Sequence, residues 1–385
     1  MNILNHFRRG SQALLVLLFA ASSVQASMVP AAPQIEGTGY ILMDAHSGHI
    51  IAQRNADEKL PPASLVKIMT DYIAAHEISR GNLSLRDRAT VSVKAWRMGG
   101  SRMFIRENTQ VSIEELIKGV IIQSGNDAAV ALAEHIAGSE DAFVDLMNQH
   151  ARRLGMNNTR FQNATGWPAE NQYSTARDMA LLAQALIREH PDNYALYREK
   201  SYTYNNITQQ NRNLLLWRDD SVDGLKTGHT NEAGYCLVAS AKRDNTRLIS
   251  VVMGTSSEQA RARESQKLLN YGFRFFETYN AYDAGENLTP VRVWQGSSDE
   301  VNLGPDKDLV LTIPRGSHDK LNAEISLHSN VRAPINAGDT LGNVIISMNG
   351  ETLLESPLVA LSDVERGGFF KRIWHSVMLF FRGLF

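Results

Sequence analysis

The sequence predicts an α/β (α+β) fold, in which helices pack on an antiparallel sheet, followed by a small all-β domain and a terminal helix. Strand patterns occur early, between Gly39 and Ala52, and late, between Val222 and Gly254, with a mainly helical segment at 64–218 between them. After residue 284, short strands alternate with turns rich in Gly, Pro, Asn and Asp. This order of elements is typical of helices packed on one antiparallel sheet with a separate β domain after it.

Composition limits the classes of protein to consider. The chain has 385 residues, which is long enough for two or three domains. It is 43% hydrophobic and 21% charged, with a net charge of −2, so neither a basic nucleic-acid-binding surface nor a strongly acidic tail is indicated. Cys236 is the only cysteine in the sequence, which excludes an intrachain disulfide and a cysteine-rich zinc site.

The N-terminus has the regions of a secretory signal peptide. Arg8 and Arg9 precede the apolar run 13–20, and small residues follow as far as Ala26. The run is shorter than the roughly 20 residues that span a bilayer, and it lacks the amphipathic period and the cap of an ordinary buried helix. We therefore predict a signal peptide at 1–26, cleaved after Ala26, and exclude it from the fold.

The first elements of the mature chain are a hairpin and a series of capped helices. Gly39–Asp44 and Gly48–Ala52 are predicted strands joined by a turn at 45–47. Ser112 and Glu115 have the spacing of a capping box before an apolar helix. Further helices are predicted from caps and stop signals at 64–74, 127–137, 139–154 and 175–187.

The later elements are three strands, a closing helix and the β domain. The strands are predicted at Val222–Gly228, Gly234–Ala241 and Thr246–Gly254, and the amphipathic helix at Leu268–Tyr279. The β domain has predicted strands at 291–294, 309–313, 323–327, 340–348 and 352–359, and we expect it to act as a spacer or a docking module. The predicted organisation is a signal peptide at 1–26, a main domain at 27–284, a small all-β domain at 285–362 and a terminal helix at 363–385.

The terminal helix is amphipathic and aromatic. Its apolar face is predicted to consist of Phe370, Ile373, Trp374, Val377, Phe381 and Leu384, with Lys371, Arg372, His375 and Arg382 as the charged complement. It is too short and too charged to span a bilayer, but it is typical of a helix in the headgroup plane of an anionic membrane. Docking on the protein core is the alternative. We predict that residues 368–385 bind a membrane surface.

Ser64 and Lys67 open the helix that follows two prolines. Residues three apart share one helix face, so the hydroxyl and the amine can point into the same cleft. Unpaired N–H groups and the dipole at a helix N-terminus favour developing negative charge. This arrangement suits a Ser/Lys acyl-transfer enzyme, although an N-cap serine followed by a solvated lysine has the same pattern.

Two later segments carry polar groups at breaks in regular structure. Ser124 and Asn126 flank a glycine between two predicted helices, where both side chains can face one cleft or simply satisfy the connector's own backbone. Lys226 and Gly228, with Thr227 between them, share one face of a predicted strand. A missing side chain at Gly228 would let a ligand backbone approach the strand edge, although an exposed lysine beside a bulge fits as well.

In order and spacing, these motifs resemble those of the penicillin-recognising serine enzymes. With the flanking residues 123–128, 224–230 and 270–277, the chain resembles low-molecular-mass penicillin-binding proteins, serine D-alanyl-D-alanine carboxypeptidases of the Dac type, over essentially its whole mature length. The resemblance implies a β-lactamase/transpeptidase-like fold, removal of the terminal D-alanine from peptidoglycan pentapeptide, and acylation by β-lactams. It also implies a peripheral location on the periplasmic face of the bacterial inner membrane and a role in cell-wall maturation and cell shape.

The resemblance also implies the catalytic roles. Ser64 is the expected nucleophile, Lys67 the general base and Ser124 the proton relay between Lys67 and Lys226. The backbone N–H groups of Ser64 and His229 would form the oxyanion hole. Lys67 must be neutral to accept a proton, and we expect burial and the charge of Lys226 to lower its pKa.

The binding residues implied by the resemblance lie mostly on the later motifs. They are Asn126, Lys226, Thr227, Gly228, His229 and Arg261. Asn126 would hold the substrate amide, and Lys226 with Thr227 the terminal carboxylate. Arg261, placed before the last predicted helix of the main domain, matches a family arginine near that carboxylate, with Arg263 as a neighbouring candidate. Ser101 matches a loop at the cleft edge.

Other functions fit parts of the pattern. A class A β-lactamase shares the first and third motifs but needs a glutamate for deacylation, for which Glu170 is the candidate. A D,D-endopeptidase uses the same acyl-enzyme. A non-catalytic cell-wall scaffold would belong to a different class, and the intact motifs argue against it. No metal or other cofactor is expected; peptidoglycan, β-lactams and a membrane surface are the expected partners, and nucleic acid is not.

Overall fold

The structure is a computed structural model that describes residues 29–382. The predicted signal peptide and its cleavage site lie outside these residues, as does Leu384 of the predicted apolar face. None of the helices within the described range is long and apolar enough to cross a membrane.

The strands alternate with helices in the first half and follow one another in the last quarter. In chain order they are β1 Gly39–Asp44, β2 Ile50–Arg54, β3 Arg88–Thr90, β4 Gln110–Ser112, β5 Ser201–Tyr204, β6 Ile207–Gln210, β7 Val222–Thr230, β8 Gly234–Arg243, β9 Thr246–Thr255, β10 Phe276–Tyr282, β11 Thr289–Arg292, β12 Glu300–Pro305, β13 Leu309–Pro314, β14 Leu321–Leu327, β15 Thr340–Met348 and β16 Glu351–Ala360.

The helices lie mostly between β2 and β7. They are α1 Lys67–Ser79, α2 Val93–Trp96, α3 Ile113–Ile121, α4 Asn126–Ala137, α5 Glu140–Arg153, α6 Ala176–Glu189, α7 Pro191–Tyr194, α8 Leu215–Arg218, α9 Glu258–Phe275 and α10 Phe369–Arg382. A short 3-10 turn, Ala63–Val66, leads directly into α1.

Five strands form a central antiparallel sheet in the order β2-β1-β9-β8-β7. The early hairpin joins the late strands because β1 pairs with β9, from Gly39 opposite Met253 to Asp44 opposite Leu248. β7 is therefore an edge strand, and it packs beside the 3-10 turn that precedes α1. The helical insert is thus held between two parts of one sheet, as the α+β prediction requires.

The two faces of this sheet bury two separate cores. Successive residues of a strand point to opposite faces. Ile41 accordingly packs with the helical insert and Leu42 with the core on the α9 side. In α1, Ile68, Met69 and Ile73 are completely buried. Burying each such side chain contributes about 1.5–3 kcal/mol, so the helix that follows Ser64 is firmly fixed.

The predicted hairpins and capped helices of the main domain are largely confirmed. At α3 the hydroxyl of Ser112 accepts the N–H of Glu115, and the Glu115 carboxylate accepts the N–H of Ser112, which completes the capping box. The antiparallel pair β3–β4 and the hairpin β5–β6 were not predicted. Asn205 and Asn206 between β5 and β6 have φ of 47° and 61°, a turn signal that could have predicted the second one.

The helix predicted at Leu268–Tyr279 is wrong at both ends. α9 begins at Glu258, because the Ser257 hydroxyl caps it by accepting the N–H of Ala260. It ends at Phe275, and β10 follows at once and pairs with β13. Arg261, expected before this helix, therefore lies in its first turn.

The C-terminal part has its own sheet and core. Strands β11-β12-β16-β15-β14 form one five-stranded sheet, and β10 and β13 form a separate pair. Of these strands, β10 and β12 were not predicted. Apolar residues such as Val293, Leu303 and Val344 are buried inside this part. α10 docks on it, since the N–H of Gln295 donates to His375 Nδ1 at 2.8 Å.

Candidate active site

Ser64 lies in the 3-10 turn just before α1. The chain enters this turn at Ala63, whose φ of 47° is in the left-handed region. Gly166 packs on the same backbone, where an added Cβ would lie 1.8 Å from the carbonyl oxygen of Ala63. In the first backbone hydrogen bond of the turn, the N–H of Leu65 donates to the carbonyl oxygen of Pro62. The N–H of Ser64 comes before this bond and is not used by the turn's own hydrogen bonds.

Lys67 is the first residue of α1, and its side chain is completely buried. Its Nζ lies 3.2 Å from Ser64 Oγ, 2.7 Å from Asn126 Oδ1 and 2.6 Å from the carbonyl oxygen of Thr165. The amide and carbonyl oxygens can only accept hydrogen bonds, whereas the serine hydroxyl can donate one. A neutral amine has two N–H groups, so these two oxygens would use both and leave its lone pair facing the hydroxyl of Ser64.

The surroundings of Lys67 favour this neutral form. Burial and, after it, the positive charge of Arg212 together lower the pKa of Lys67 to about 7, while Asp127 acts in the opposite direction. The expected contribution of burial is present, but the cation acting on Lys67 is Arg212 rather than Lys226. Burial, followed by the charge of Lys67, also lowers the pKa of Lys226 well below its usual value.

Ser124 and Lys226 form a second serine–lysine pair. Lys226 Nζ lies 2.8 Å from Ser124 Oγ and 3.1 Å from the carbonyl oxygen of Thr227. The backbone of Ser124 is left-handed, with φ of 57°, and its side chain is almost completely buried. Among the described residues, hydrogen bonds connect Ser124 to Lys226 and Lys67 to Ser64, and none joins Ser124 to Lys67, so the relay between the two lysines stays a prediction.

Asn126 and Asp127 hold the loop that carries Ser101. The carboxylate of Asp127 accepts the backbone N–H groups of 103–105 at 2.8, 2.8 and 3.2 Å. The N–H of Asn126 donates to the carbonyl of Ser101 at 2.7 Å, and its Nδ2 donates to the carbonyl of Gly99. The start of α4 thereby fixes both the amide beside Lys67 and the cleft edge.

The strand β7 and the helix α9 supply the opposite wall. Thr227 lies next to the buried Lys226, and the ring of His229 stacks on Tyr235 with centroids 4.0 Å apart. Arg261 is 2% exposed, and its Nη1 donates to the carbonyl of Gly228 at 3.1 Å. The guanidinium of Arg261 is thus fixed at the edge of β7.

The alternative arginine does not share this position. Arg263 is half exposed and forms ion pairs with Glu36 and Glu264, each at 2.8 Å. It does not line the cleft above Ser64. Of the two candidates from the sequence, only Arg261 reaches the cleft.

Gly228 has a structural role in addition to the one predicted. A Cβ at this position would lie 3.1 Å from the carbonyl oxygen of Pro62 and 3.2 Å from Cβ of Ala63. The missing side chain therefore lets β7 pack against the turn that carries Ser64. Gly228 also lines the cleft, and the approach of a ligand backbone to this strand edge stays a prediction.

The structure brings the predicted residues into one cleft of about 500 Å³. Those that line it are Ser64, Ser101, Ser124, Asn126, Thr227, Gly228, His229 and Arg261. Lys67 and Lys226 are buried directly beneath it, each in contact with a lining serine. Glu170 lies in an adjacent groove and not in this cleft.

The sequence analysis missed further lining residues, among them Thr165, Gly166, Trp167, Arg212 and Glu258. Arg212 stands between two asparagines whose side chains bond to nearby backbone groups, a polar turn signal that could have drawn attention to it. Thr165 contributes its backbone carbonyl oxygen. Every residue carries this group, so the sequence gives no signal for it. The arrangement as a whole suits acyl transfer through Ser64.

Comparisons with known proteins agree with this geometry. A family model described as D-alanyl-D-alanine carboxypeptidase matches residues 26–257. A second, described as the C-terminal domain of penicillin-binding protein 5, matches residues 276–366.

Individual relatives match most of the chain. D-alanyl-D-alanine carboxypeptidase DacC of Escherichia coli (strain K12) is 46% identical over 378 residues, covering 96% of this chain and 94% of the relative. The structure of penicillin binding protein 5 from Haemophilus influenzae matches with a TM-score of 0.85 at 42% identity, covering 88% of this chain and 100% of that one. A D-alanyl-D-alanine endopeptidase of Escherichia coli (strain K12) is 30% identical and covers 65% of this chain and 81% of its own.

Proposed function

The chain belongs to the D-alanyl-D-alanine carboxypeptidase family, and we propose that it removes the terminal D-alanine from peptidoglycan pentapeptide through an acyl-ester on Ser64. It is a serine-type peptidase with the fold of the penicillin-binding proteins. The observation that carries the assignment of the nucleophile is the set of contacts of Lys67. Two of its neighbours only accept hydrogen bonds, and the third is the hydroxyl of Ser64 at 3.2 Å.

In the acylation step, neutral Lys67 takes the proton of Ser64 while the serine oxygen attacks the carbonyl carbon of the penultimate D-alanine. The N–H groups of Ser64 and His229 would stabilise the negative charge on the carbonyl oxygen, each donor being worth about 3–4 kcal/mol. As the C–N bond breaks, the leaving nitrogen receives a proton by way of Ser124. Free D-alanine departs, and the ester on Ser64 remains until water hydrolyses it.

Substrate binding would use β7 and the neighbouring first turn of α9. Lys226, Thr227 and Arg261 would hold the terminal carboxylate, since Lys226 and Thr227 belong to β7 and the guanidinium of Arg261 donates to the carbonyl of Gly228 on that strand. Nδ2 of Asn126 has two N–H groups, and one donates to Gly99, so the other is available for a substrate carbonyl. A β-lactam presents an amide bond and a nearby carboxylate to the same groups and would acylate Ser64 in the same way.

The alternatives are weaker. The endopeptidase relative matches a smaller share of the chain than the carboxypeptidase relatives do, so cleavage of cross-links is the second candidate activity. Glu170, the candidate for a β-lactamase base, is exposed in the groove beside the cleft. A non-catalytic scaffold would have no need for two buried lysines, each in contact with a serine.

One assay tests this proposal. Residues 27–385 are incubated with a pentapeptide ending in D-Ala-D-Ala and, separately, with labelled penicillin. We expect release of D-alanine and a stable penicillin adduct, both absent in Ser64→Ala. Rapid penicillin turnover without peptide cleavage would identify a β-lactamase, and an inactive wild-type protein that forms no adduct would leave the scaffold. Cleavage of a cross-linked dimer in preference to the pentapeptide would identify an endopeptidase.

We also propose that the protein is peripheral on the periplasmic face of the inner membrane, bound through residues 368–385. The support is the orientation of α10, which turns Lys371 and His375 toward the β domain and leaves large apolar side chains in solvent. Phe370 is 85% exposed and Trp374 is 64% exposed. The predicted domain division stays part of this proposal, with the β domain as the spacer between cleft and membrane.

Deletion of residues 368–385 tests the membrane proposal. We expect the truncated protein to move from the membrane fraction to the soluble fraction and to keep its penicillin adduct on Ser64. A second variant changes Phe370 and Trp374 to serine, which removes apolar area without shortening the chain, and it should also sediment less with membranes. Sedimentation of all three proteins with membranes to the same extent would contradict the proposal.

A further inference from the structure

A second concave site lies in the β domain, beside the terminal helix. The cavity has a volume of about 450 Å³. Its lining includes Arg292, Trp294, His328 and Arg332 from the β domain, together with Leu379 from α10. Among residues 29–382, no carboxylate lines it. It is far in sequence from every residue of the active-site cleft, and the reaction proposed above makes no use of it.

The two arginines of this cavity are not paired with carboxylates within residues 29–382, and one of them lies against an aromatic ring. The guanidinium of Arg292 lies over the ring of Trp294 at 4.1 Å from the centroid. Arg292 and Arg332 are both exposed, and within residues 29–382 neither is in a salt bridge. The nearby carboxylate of Asp299 is bound by Lys371 at 2.8 Å; this contact comes first among the causes that lower the pKa of Asp299, and the charge of Arg292 contributes last. The arginines therefore remain available for an anion.

The chemistry of the lining selects a phosphate group. Arginine presents a planar fork that binds phosphate through two parallel hydrogen bonds, and two arginines with a histidine supply several such donors. The lining also contains the apolar side chains of Leu327 and Leu379. A ligand that joins a phosphate to apolar carbon would satisfy both parts of the wall.

The cavity lies on the inner side of α10, opposite the side proposed to face the membrane. Leu379 is half-buried and lies one turn after His375 on the inner side of the helix, whereas Phe370, Trp374 and Phe381 are exposed on the outer side. An interfacial helix sinks about 5–10 Å into the boundary between headgroups and acyl chains, and its diameter is about 10–12 Å. With the outer side of α10 in the acyl region, its inner side, and the cavity there, would lie at the depth of the lipid phosphates.

We propose that this cavity binds the phosphate headgroup of an anionic phospholipid while the outer side of α10 rests in the acyl region. The inference rests on the membrane association proposed above. It adds a defined headgroup site to an otherwise non-specific anchor. In this arrangement the arginines fix the rotation of the β domain relative to the membrane, because helix and cavity must contact the bilayer together.

Vesicle binding of residues 27–385 tests the site. The partition coefficient is measured by co-sedimentation at about 0.15 M salt, with phosphatidylcholine vesicles and with vesicles containing one quarter phosphatidylglycerol. Arg332→Gln and Arg292→Gln should each weaken binding to the anionic vesicles about tenfold or more. The matched control Arg366→Gln removes the same charge shortly before α10 and outside the cavity, and should weaken binding about fivefold or less.

A conservative variant separates a specific contact from general attraction. Arg332→Lys keeps the charge but loses the planar fork, so a headgroup site predicts a loss of about threefold, and diffuse attraction predicts none. Unchanged thermal unfolding and unchanged penicillin acylation of the variants confirm that they are folded. Competition by soluble dihexanoylphosphatidylglycerol should exceed competition by inorganic phosphate at the same concentration.

The possible results distinguish failure of the membrane proposal from failure of the headgroup site. If the wild-type protein binds neither kind of vesicle, the membrane proposal itself fails. If the wild-type protein binds and all four arginine variants lose affinity equally or not at all, membrane association stands and the headgroup site is refuted. Equal competition by inorganic phosphate would overturn the assignment to a lipid, and equal binding to neutral vesicles would overturn the requirement for an anion.

Discussion

The pKa of Lys67 sets the pH at which Ser64 can be acylated. With a pKa of about 7, the neutral fraction of Lys67 is about 1% at pH 5, about 50% at pH 7 and about 99% at pH 9. If the neutral amine takes the serine proton, the second-order rate of acylation should rise about 100-fold from pH 5 to pH 9 and level off above an apparent midpoint near 7. A lysine with an ordinary pKa would instead give a tenfold rise per pH unit across this whole range.

The structure assigns the causes of this midpoint, and one of them can be changed. Burial comes first, and the charge of Arg212 adds to it. Arg212→Gln should therefore move the midpoint to higher pH, because the cation that disfavours protonated Lys67 is gone. Arg263→Gln is the control, since it removes an equal charge from an arginine outside the cleft. Arg212 lines the cleft, so its loss can alter KM as well, and the midpoint is the readout that reports on Lys67.

Stopped-flow acylation with a fluorescent penicillin, from pH 5 to pH 9.5 at constant ionic strength, measures this profile. The pH dependence of protein stability does not obscure the pH profile of the acylation rate. The folded-state pKa of Lys67 lies below the unfolded value, so the unfolded chain binds the extra proton between about pH 7 and 10.5, and stability from this group rises with pH only in that window. A rate that changes less than about threefold between pH 5 and 7.5, or that still climbs tenfold per unit above pH 9, would refute the reasoning.

Three other substitutions have definite expected outcomes. Ser124→Ala should lower kcat about 100-fold or more, with little change in the melting temperature, because the hydroxyl that contacts Lys226 is lost; near-normal turnover would exclude a relay role. Asp127→Asn places an amide donor against the N–H groups of 103–105. This should lower the unfolding free energy by about 1–3 kcal/mol and slow acylation. An unchanged midpoint in denaturant titration would contradict this. Gly166→Ala should abolish acylation and destabilise the protein far more than Gly155→Ala in thermal unfolding. Both glycines have positive φ, 80° and 75°, but only Gly166 has backbone within contact of the new Cβ; equal destabilisation would disprove the steric argument.

Much of the fold was readable from local signals. The period-2 alternation of the central strands and the serine and threonine caps of the helices act within a few residues, so the sequence alone predicts them. α9 shows the limit of this method. Its first turns are polar and arginine-rich, and the apolar pattern used to place it begins at Leu268, ten residues after the helix starts at Glu258. The cap at Ser257 was the stronger signal.

The sequence predicts which residue types form the site, but it does not predict most of the contacts between them. The spacing of Ser64 and Lys67 places the two side chains on one helix face, and the structure has them 3.2 Å apart. The other partners of Lys67 are Asn126, 59 positions away, and the carbonyl of Thr165, 98 positions away. A backbone carbonyl carries no sequence signal, and the charge of Arg212 acts through tertiary packing. Burial and the charge of Arg212 lower the pKa of Lys67, and both follow only from the folded chain.

The position of the nucleophile itself depends on two residues that lack side chains. Gly166 packs on the backbone of Ala63 from one direction, and Gly228 of β7 approaches Pro62 and Ala63 as well. Ala63 has a left-handed φ, which costs a residue with a side chain about 1–2 kcal/mol. Packing on both sides holds the turn in this conformation, so Ser64 is set by the contact of three separate chain segments and not by the helix propensity of its own. The Ser-x-x-Lys spacing is therefore necessary for the chemistry, and the glycines of the two other segments add to it by placing the hydroxyl over a buried amine.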